Sequence, residues 1–384
     1  MNTPVGVRGG IIDILKPLEG DFSPPSGEED IDRYLFERYL EQGGSWKRKL
    51  YYAVKPLVPR AVQIALRRRY LETQAQTTFP SWPIEPVVVN TLQAFKRRQL
   101  AGRSAFHWIG YWPKGYHFAC VITHDVEWDT GLRRAPDLLR LEQALGFQSS
   151  WNLVPERYPI DMSIVEDLRA HGSEIGIHGL RHDGRLFQSL SLFRTRMEKI
   201  NAYARDWKAV GFRSPSTLRN ADWMSEMSFV YDSSFPDTDP YEPQPGGCCT
   251  IWPYFIGKMV ELPMTMPQDH TLFEIHQMTD ISVWKTKAKW IAEQGGLLLV
   301  NVHPDYMLTP DRLERYRELL LYMKSLPGMW HVLPRDAAQW WLERDATRIV
   351  SNVQGKHLEG PGASRGGIFA TEIYKGEMRD VPLA

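Results

Sequence analysis

From residue 116 onward, short apolar runs alternate with segments whose apolar residues recur at helical spacing. Residues 118–123 (FACVIT) form a continuous apolar run and predict a strand, and 136–145 (PDLLRLEQAL) predict a helix. The alternation continues with a strand at 149–154 (SSWNLV), a helix through 164–171, a strand at 173–178 (SEIGIH) and a helix within 186–210. Residues 211–213 (GFR) end another strand, and 296–302 (GLLLVNV) predict a buried one. Strands that alternate with helices predict βαβ units and a parallel sheet.

The earlier chain has a different texture. The first thirty residues are rich in Gly, Pro and acid and predict an arm or loosely packed leader, while 31–98 is helical in pattern. Within it, residues 45–70 carry Lys47, Arg48, Lys49, Lys55, Arg60, Arg67, Arg68 and Arg69 with no acid among them. Such a basic amphipathic stretch suits an anionic membrane surface or a solvated helical face. Pro56 and Pro59 interrupt the helix and favour the second. Residues 79–83 (FPSWP) predict a turn out of this region. The tail after Val350 predicts an extended strap around Ile368, Phe369 and Ala370. The chain thus divides into a mainly helical N-terminal extension (1–115), a catalytic-type α/β domain (116–345) and a C-terminal tail (346–384).

The 384 residues carry 46 basic and 46 acidic side chains and are 43% apolar. That balance excludes whole-chain disorder and removes the positive field a nucleic-acid binder needs. No run approaches the roughly 20 apolar residues of a membrane span, and no secretory h-region is present, so a cytoplasmic location is expected. Three cysteines, two of them adjacent, do not make a disulfide framework. Fourteen tryptophans are many for this length. Trp82, Trp112, Trp151 and Trp284 sit in polar surroundings and suit either sugar stacking or core filling, the commoner use of large aromatics.

In α/β folds, functional groups gather at the carboxyl ends of strands. Here those ends carry Asp125 with Glu127, His178, Arg213 and His303. Asp125 and Glu127, spaced i and i+2 in extended chain, point to one side. His178 and His182 share a face if the chain turns helical after the strand, which suits two ligands of one zinc-like ion. Two imidazoles and a carboxylate leave open positions for water and substrate. Asp183 would orient a ligand or cap the next helix. Arg213 can hold a carboxylate ionised and fix its direction, and His303 suits a general acid.

Taken in chain order, these residues resemble the polysaccharide deacetylases, the NodB-homology family of carbohydrate esterases (family 4-like). The family's T-F-D-D motif corresponds to Thr123-His124-Asp125, and its H-x-x-x-H to His178 through His182. Its R-x-P-Y-G corresponds to Arg213-Ser214-Pro215, and its late histidine to His303. The match spans 116–344, about three-fifths of the chain. The resemblance implies a distorted (β/α) barrel, a divalent metal (usually zinc) and hydrolysis of an acetyl amide on a sugar. It makes Asp125 the general base, His178 and His182 metal ligands, Arg213 the residue that holds Asp125, and His303 the acid that protonates the leaving amine.

This chain departs from the family pattern at several positions. Val126 stands where the usual metal aspartate follows the base; some members instead use D-x-D, with the metal acid two residues on, and that resemblance makes Glu127 the expected third ligand. Ser216 and Thr217 replace the aromatic and glycine of the third motif. Asn301 sits where an apolar residue usually lines the acetyl pocket, and the fourth motif is echoed loosely by Asp232-Ser233-Ser234-Phe235. The expected activity is removal of an N-acetyl group from a sugar or polysaccharide precursor, as in exopolysaccharide biosynthesis. A cytoplasmic enzyme would act on a nucleotide- or lipid-linked intermediate. Two alternatives stay open: hydrolysis of another non-peptide C–N bond, such as a ureide, without a metal; and a non-catalytic glycan-binding protein.

Overall fold

A computed structural model describes residues 10–18, 23, 25–40, 68, 79–307 and 309–383. Apart from Arg68, the basic stretch at 45–70 lies outside the described residues. Arg68 donates to the carbonyl of Glu274 at 2.9 and 2.8 Å.

The centre of the molecule is β2 (Phe118–Val126), all nine of whose residues are buried. Parallel strands covered on both faces read as unbroken apolar runs, and FACVIT is such a run. Around it lie β3 (Ser150–Leu153), β4 (Glu174–Ile177), β5 (Gly211–Phe212), β6 (Tyr231–Asp232), β8 (Met259–Glu261) and β9 (Leu297–Val302). They pair in the order β9-β2-β3-β4-β5-β6-β8, all parallel. Beyond β8, β7 (Tyr254–Ile256) adds antiparallel, while β10 (Met329–His331) pairs with the first residues of β2. The sheet curls until the segment after β8 meets β9. There Met266 N–H donates to the Leu299 carbonyl at 3.1 Å, and the Thr265 hydroxyl bonds Leu297 and Leu299. This is a distorted (β/α) barrel whose seam is held by the Thr265 hydroxyl, the Met266 backbone bond and, further along, Gln268 on Asn301 and Asp269 on His303, rather than by a ladder.

The crossover helices include α4 (Asp129–Leu145), α5 (Met162–Ala170), α6 (Leu190–Asp206), α8 (Ser282–Gln294), α9 (Pro310–Ser325) and α10 (Pro334–Asp345). The first of these begins seven residues earlier than its pattern predicts and takes Pro136 into its interior. Its N-terminus is capped from another loop, described below, which lets it start ahead of the proline.

The N-terminal region is less loose than its composition predicts. Helix α1 (Ile11–Leu15) buries Ile11, Ile14 and Leu15. The buried Arg344 of α10 donates to the carbonyls of Asp13, Ile14, Ile109 and Gly110, tying this segment to the barrel. After α2 (Asp32–Leu35), α3 (Val87–Gln99) packs its apolar face inward and buries Lys96, whose ammonium pairs with Asp380 at 2.6 Å and lies 3.9 Å from the Trp108 ring centre. The tail forms two hairpins, β11 (Arg348–Asn352) with β12 (Gly355–Glu359), and β13 (Ile368–Tyr374) with β14 (Glu377–Pro382). Strand β13 also pairs with β1 (Ala105–Ile109), so extension and tail share a three-stranded sheet.

Trp112, Trp151 and Trp284 are buried in the core and cannot stack on a sugar. Trp82 is half-buried against His276, with ring centres 5.2 Å apart. The three cysteines are free and buried.

Candidate metal centre and acid–base pair

The carboxyl ends of β2, β4, β5 and β9 converge and bring together Asp125, Glu127, His178, His182, Arg213 and His303. Glu127, His178 and His182 offer ligand atoms that all lie within 4.8 Å of one another. Their convergence does not use a helical turn, as the i, i+4 spacing predicts. Instead Gly179 (φ +63°) and His182 (φ +53°) both adopt the left-handed conformation and fold the loop back on itself. Gly179 is required on two counts, since a Cβ there would also stand 2.5 Å from Pro215 Cδ. That contact presses the histidine loop onto the Arg213-Ser214-Pro215 segment.

The donor set fits a divalent ion. His178 Nδ1–H donates to the Arg213 carbonyl at 3.1 Å, which leaves Nε2 with its lone pair free to ligate. Burial pushes this imidazole down to about 4, so it is neutral at pH 7, the form a metal needs. His182 Nε2 is buried 2.9 Å from Glu127 Oε1, yet among the described residues it has no hydrogen-bond partner. A buried imidazole nitrogen placed beside a carboxylate without bonding it is what a shared ion would explain. Burial alone would raise the Glu127 carboxyl, but His182 and the cations around it hold it well below the ordinary range.

Asp125 faces this triad without joining it. Its Oδ2 is 4.0 Å from His178 Nε2 and 4.0 Å from His303 Nε2. Asn152 donates to Oδ1 and Asn301 to Oδ2, each at 2.9 Å, while Arg213 Nη1 reaches Oδ2 at 3.4 Å. Burial opposes ionisation here, but the Arg213 and His303 charges and the Asn152 hydrogen bond outweigh it and hold the carboxyl below its ordinary range. Arg213 therefore does hold Asp125, but two asparagine amides hold it more closely. Its other amino group bonds Thr123 and Ser233.

On the far side of Asp125, His303 donates its backbone N–H and Nδ1–H to the two oxygens of Asp269, at 2.9 and 2.7 Å. Burial lowers the imidazolium, but Asp269's charge and hydrogen bond, with Asp125 and Glu127 beyond, bring it up to about 10. A protonated imidazole thus stands beside an ionised carboxylate, with the candidate metal ligands on the other side.

One expectation needs correction. Asp183 neither orients a ligand nor caps a helix; its two oxygens take both amino groups of Arg196, and it accepts the Arg185 N–H. The loose fourth-motif echo begins at Asp232. Asp232 is wholly buried beside Glu261, with its carboxyl raised by that burial, and bonds Ser234. Asp269 is the carboxylate that bonds His303. The Asn301 amide belongs to the network around Asp125, bonding Asp125, Gln268 and Thr123. Ser216 and Thr217 both take left-handed backbone conformations, at φ 54° and 49°.

Asn152 and Asp269 escape the motif reading. Asn152 is the polar residue inside the SWNL strand, as Asn301 is inside LLLVNV, and a lone amide in a buried apolar run is a usable signal. Asp269 precedes a helical turn at His270–Ile275 and has no sequence signal of that kind.

No family model matches the chain, and no curated protein matches it. Among solved structures it is similar to a protein of Mycobacterium smegmatis described as a polysaccharide deacetylase, at 17% identity over 59% of this chain and 91% of the other, with a TM-score of 0.48. It is also similar to Puue allantoinase, at 17% identity over 60% and 92%, TM-score 0.47. A Pseudomonas aeruginosa PAO1 protein described as a polysaccharide deacetylase gives 17% identity over 60% and 93%, TM-score 0.44.

Proposed function

We propose that this chain is a metal-dependent hydrolase that removes an N-acetyl group from a sugar or polysaccharide precursor. The observation that carries the reading is the placement of Asp125 between the Glu127–His178–His182 triad and a protonated His303. Amide hydrolysis needs a base for the attacking water, a stabiliser for the oxyanion and an acid for the leaving nitrogen. Asp125 would be the base and His303 the acid, and the ion held by Glu127, His178 and His182 would stabilise the oxyanion.

Glu127, His178 and His182 would hold the ion, with zinc the metal expected of a histidine-rich carboxylate site. The chemistry it supplies when bound is polarisation of the substrate carbonyl and a lowered pKa for the attacking water. Asp125 stays ionised at every working pH and takes the proton from that water. Arg213, Asn152 and Asn301 fix its oxygens, at the cost of some basicity. His303, oriented by Asp269, keeps a proton on Nε2 for the departing amine and turns that atom toward the reacting centre. Trp128, 43% exposed and next to Glu127, is an open aromatic surface at the rim, with Arg157 over its ring at 3.7 Å.

The test is acetate release from N-acetylated sugars and their nucleotide-linked forms, with and without chelator. Metal-dependent release lost in Asp125→Asn supports the reading. Release unaffected by chelator, or turnover of ureides alone, would contradict it.

A further inference from the structure

Glu127 lies one residue past the end of β2 and carries one more methylene than an aspartate, so its oxygen needs outside restraint to stay on the histidine pair. Two residues of the turn that follows β9 supply it. Asp305, 8% exposed, accepts the Glu127 N–H on Oδ2 at 2.8 Å. Its Oδ1 accepts the Gly131 N–H at 2.9 Å and the Thr130 hydroxyl at 3.2 Å. Those donors belong to the first turn of α4, whose own N-cap residue, Trp128, makes no side-chain cap. The missing cap is thus provided by a carboxylate from another loop.

Next to it, the Tyr306 hydroxyl donates to Glu127 Oε2 at 3.4 Å, leaving Oε1 as the oxygen beside His182. The Tyr306 ring packs edge-on against His303, with centres 5.3 Å apart. Gly131 makes the approach possible, because a Cβ there would stand 2.4 Å from Asp305 Oδ2.

We infer that residues 303–306 form a clamp in which Asp305 and Tyr306 are positioning residues for Glu127, on the same turn that delivers the acid His303. The inference rests on the reading of Glu127 as a metal ligand. Partners that orient a ligand govern metal affinity directly, since removing one costs about 10–100-fold.

The experiment measures zinc affinity of the metal-free full chain by competition with a chromogenic chelator, and the visible spectrum of the cobalt-loaded protein. Asp305→Asn puts an amide NH₂ against a backbone N–H. It is expected to weaken zinc binding about 10–100-fold while the metal-free chain still melts cooperatively. Gly131→Ala, which displaces the same carboxylate from the other side, is expected to act in the same direction. Tyr306→Phe should give a smaller loss with an altered cobalt spectrum. It decides the matter if Asp305→Asn and Gly131→Ala fail to fold. Zinc held by the wild type and equally by the folded variants, with unchanged cobalt spectra, would overturn the clamp alone. A wild type that holds no zinc removable by His182→Ala would overturn the metal reading and the clamp with it.

Discussion

His303 and Asp269 form a doubly bonded pair in which the carboxylate takes both the backbone N–H and the Nδ1–H of the histidine, at 2.9 and 2.7 Å. The pair is buried and points the other ring nitrogen at Asp125. An acid built this way keeps its proton far above the ordinary histidine range.

Asp269→Asn should therefore move the alkaline limb of the rate profile from near 10 towards 6.5 or below, the value of an unassisted histidine. Stability follows the same sign. A folded-state pKa raised above the unfolded one contributes stability that is fully present below about 6.5 and lost as pH rises through about 10. The variant should be less stable by about 3–5 kcal/mol at pH 6, the cost of breaking a buried pair. The gap should shrink as pH approaches 10. Denaturant melts at pH 6, 8 and 10 read it; a gap constant with pH would show the pair to be uncharged.

Asp125→Asn removes the proposed base without removing a proposed metal ligand, because the nearest candidate ligand nitrogen, His178 Nε2, is 4.0 Å away. Activity should fall about 10²–10⁴-fold, with zinc content unchanged. Parallel rate and metal assays check both halves.

The histidine loop depends on backbone conformation as much as on its side chains. Gly179→Ala places a Cβ 2.5 Å from Pro215 Cδ at φ +63°. It should cost about 1–2 kcal/mol from the left-handed conformation alone, and lower metal retention by displacing His178. Melting temperature and metal content of the purified variant measure the two effects.

Arg344 tests how the extension is attached. Arg344→Met leaves carbonyls of Asp13, Ile14, Ile109 and Gly110 without their buried donor. At about 1–3 kcal/mol for each unsatisfied group, the loss should reach several kcal/mol, visible as a large fall in denaturation midpoint.

The barrel strands were legible where burial on both faces makes apolar runs, as in β2, β3, β4 and β9. Strands β5, β6, β7 and β8 are two or three residues long, too short to carry a period, and only the end of β5 was visible, through Arg213. Asp125, Glu127, His178, His182, Arg213 and His303 were legible because each sits at or just past a strand end, where packing alone does not call for charge. What the sequence hid are residues that act through another: Asp269 on His303, Asn152 on Asp125, Asp305 on Glu127. Their partners are 27 to 178 positions away in the chain, so no local spacing signals them. The loop path at 178–182 was hidden too, because H-x-x-x-H fits a helical turn and a left-handed fold-back equally well.

The central claim is that Glu127, His178 and His182 hold one catalytic ion, and elemental mass spectrometry of the purified protein tests it most directly. The wild type should carry about one zinc or similar ion per chain, and a His178→Ala/His182→Ala double variant that still folds should carry none. A wild type without metal after zinc repletion, or a double variant that keeps it, would contradict the account.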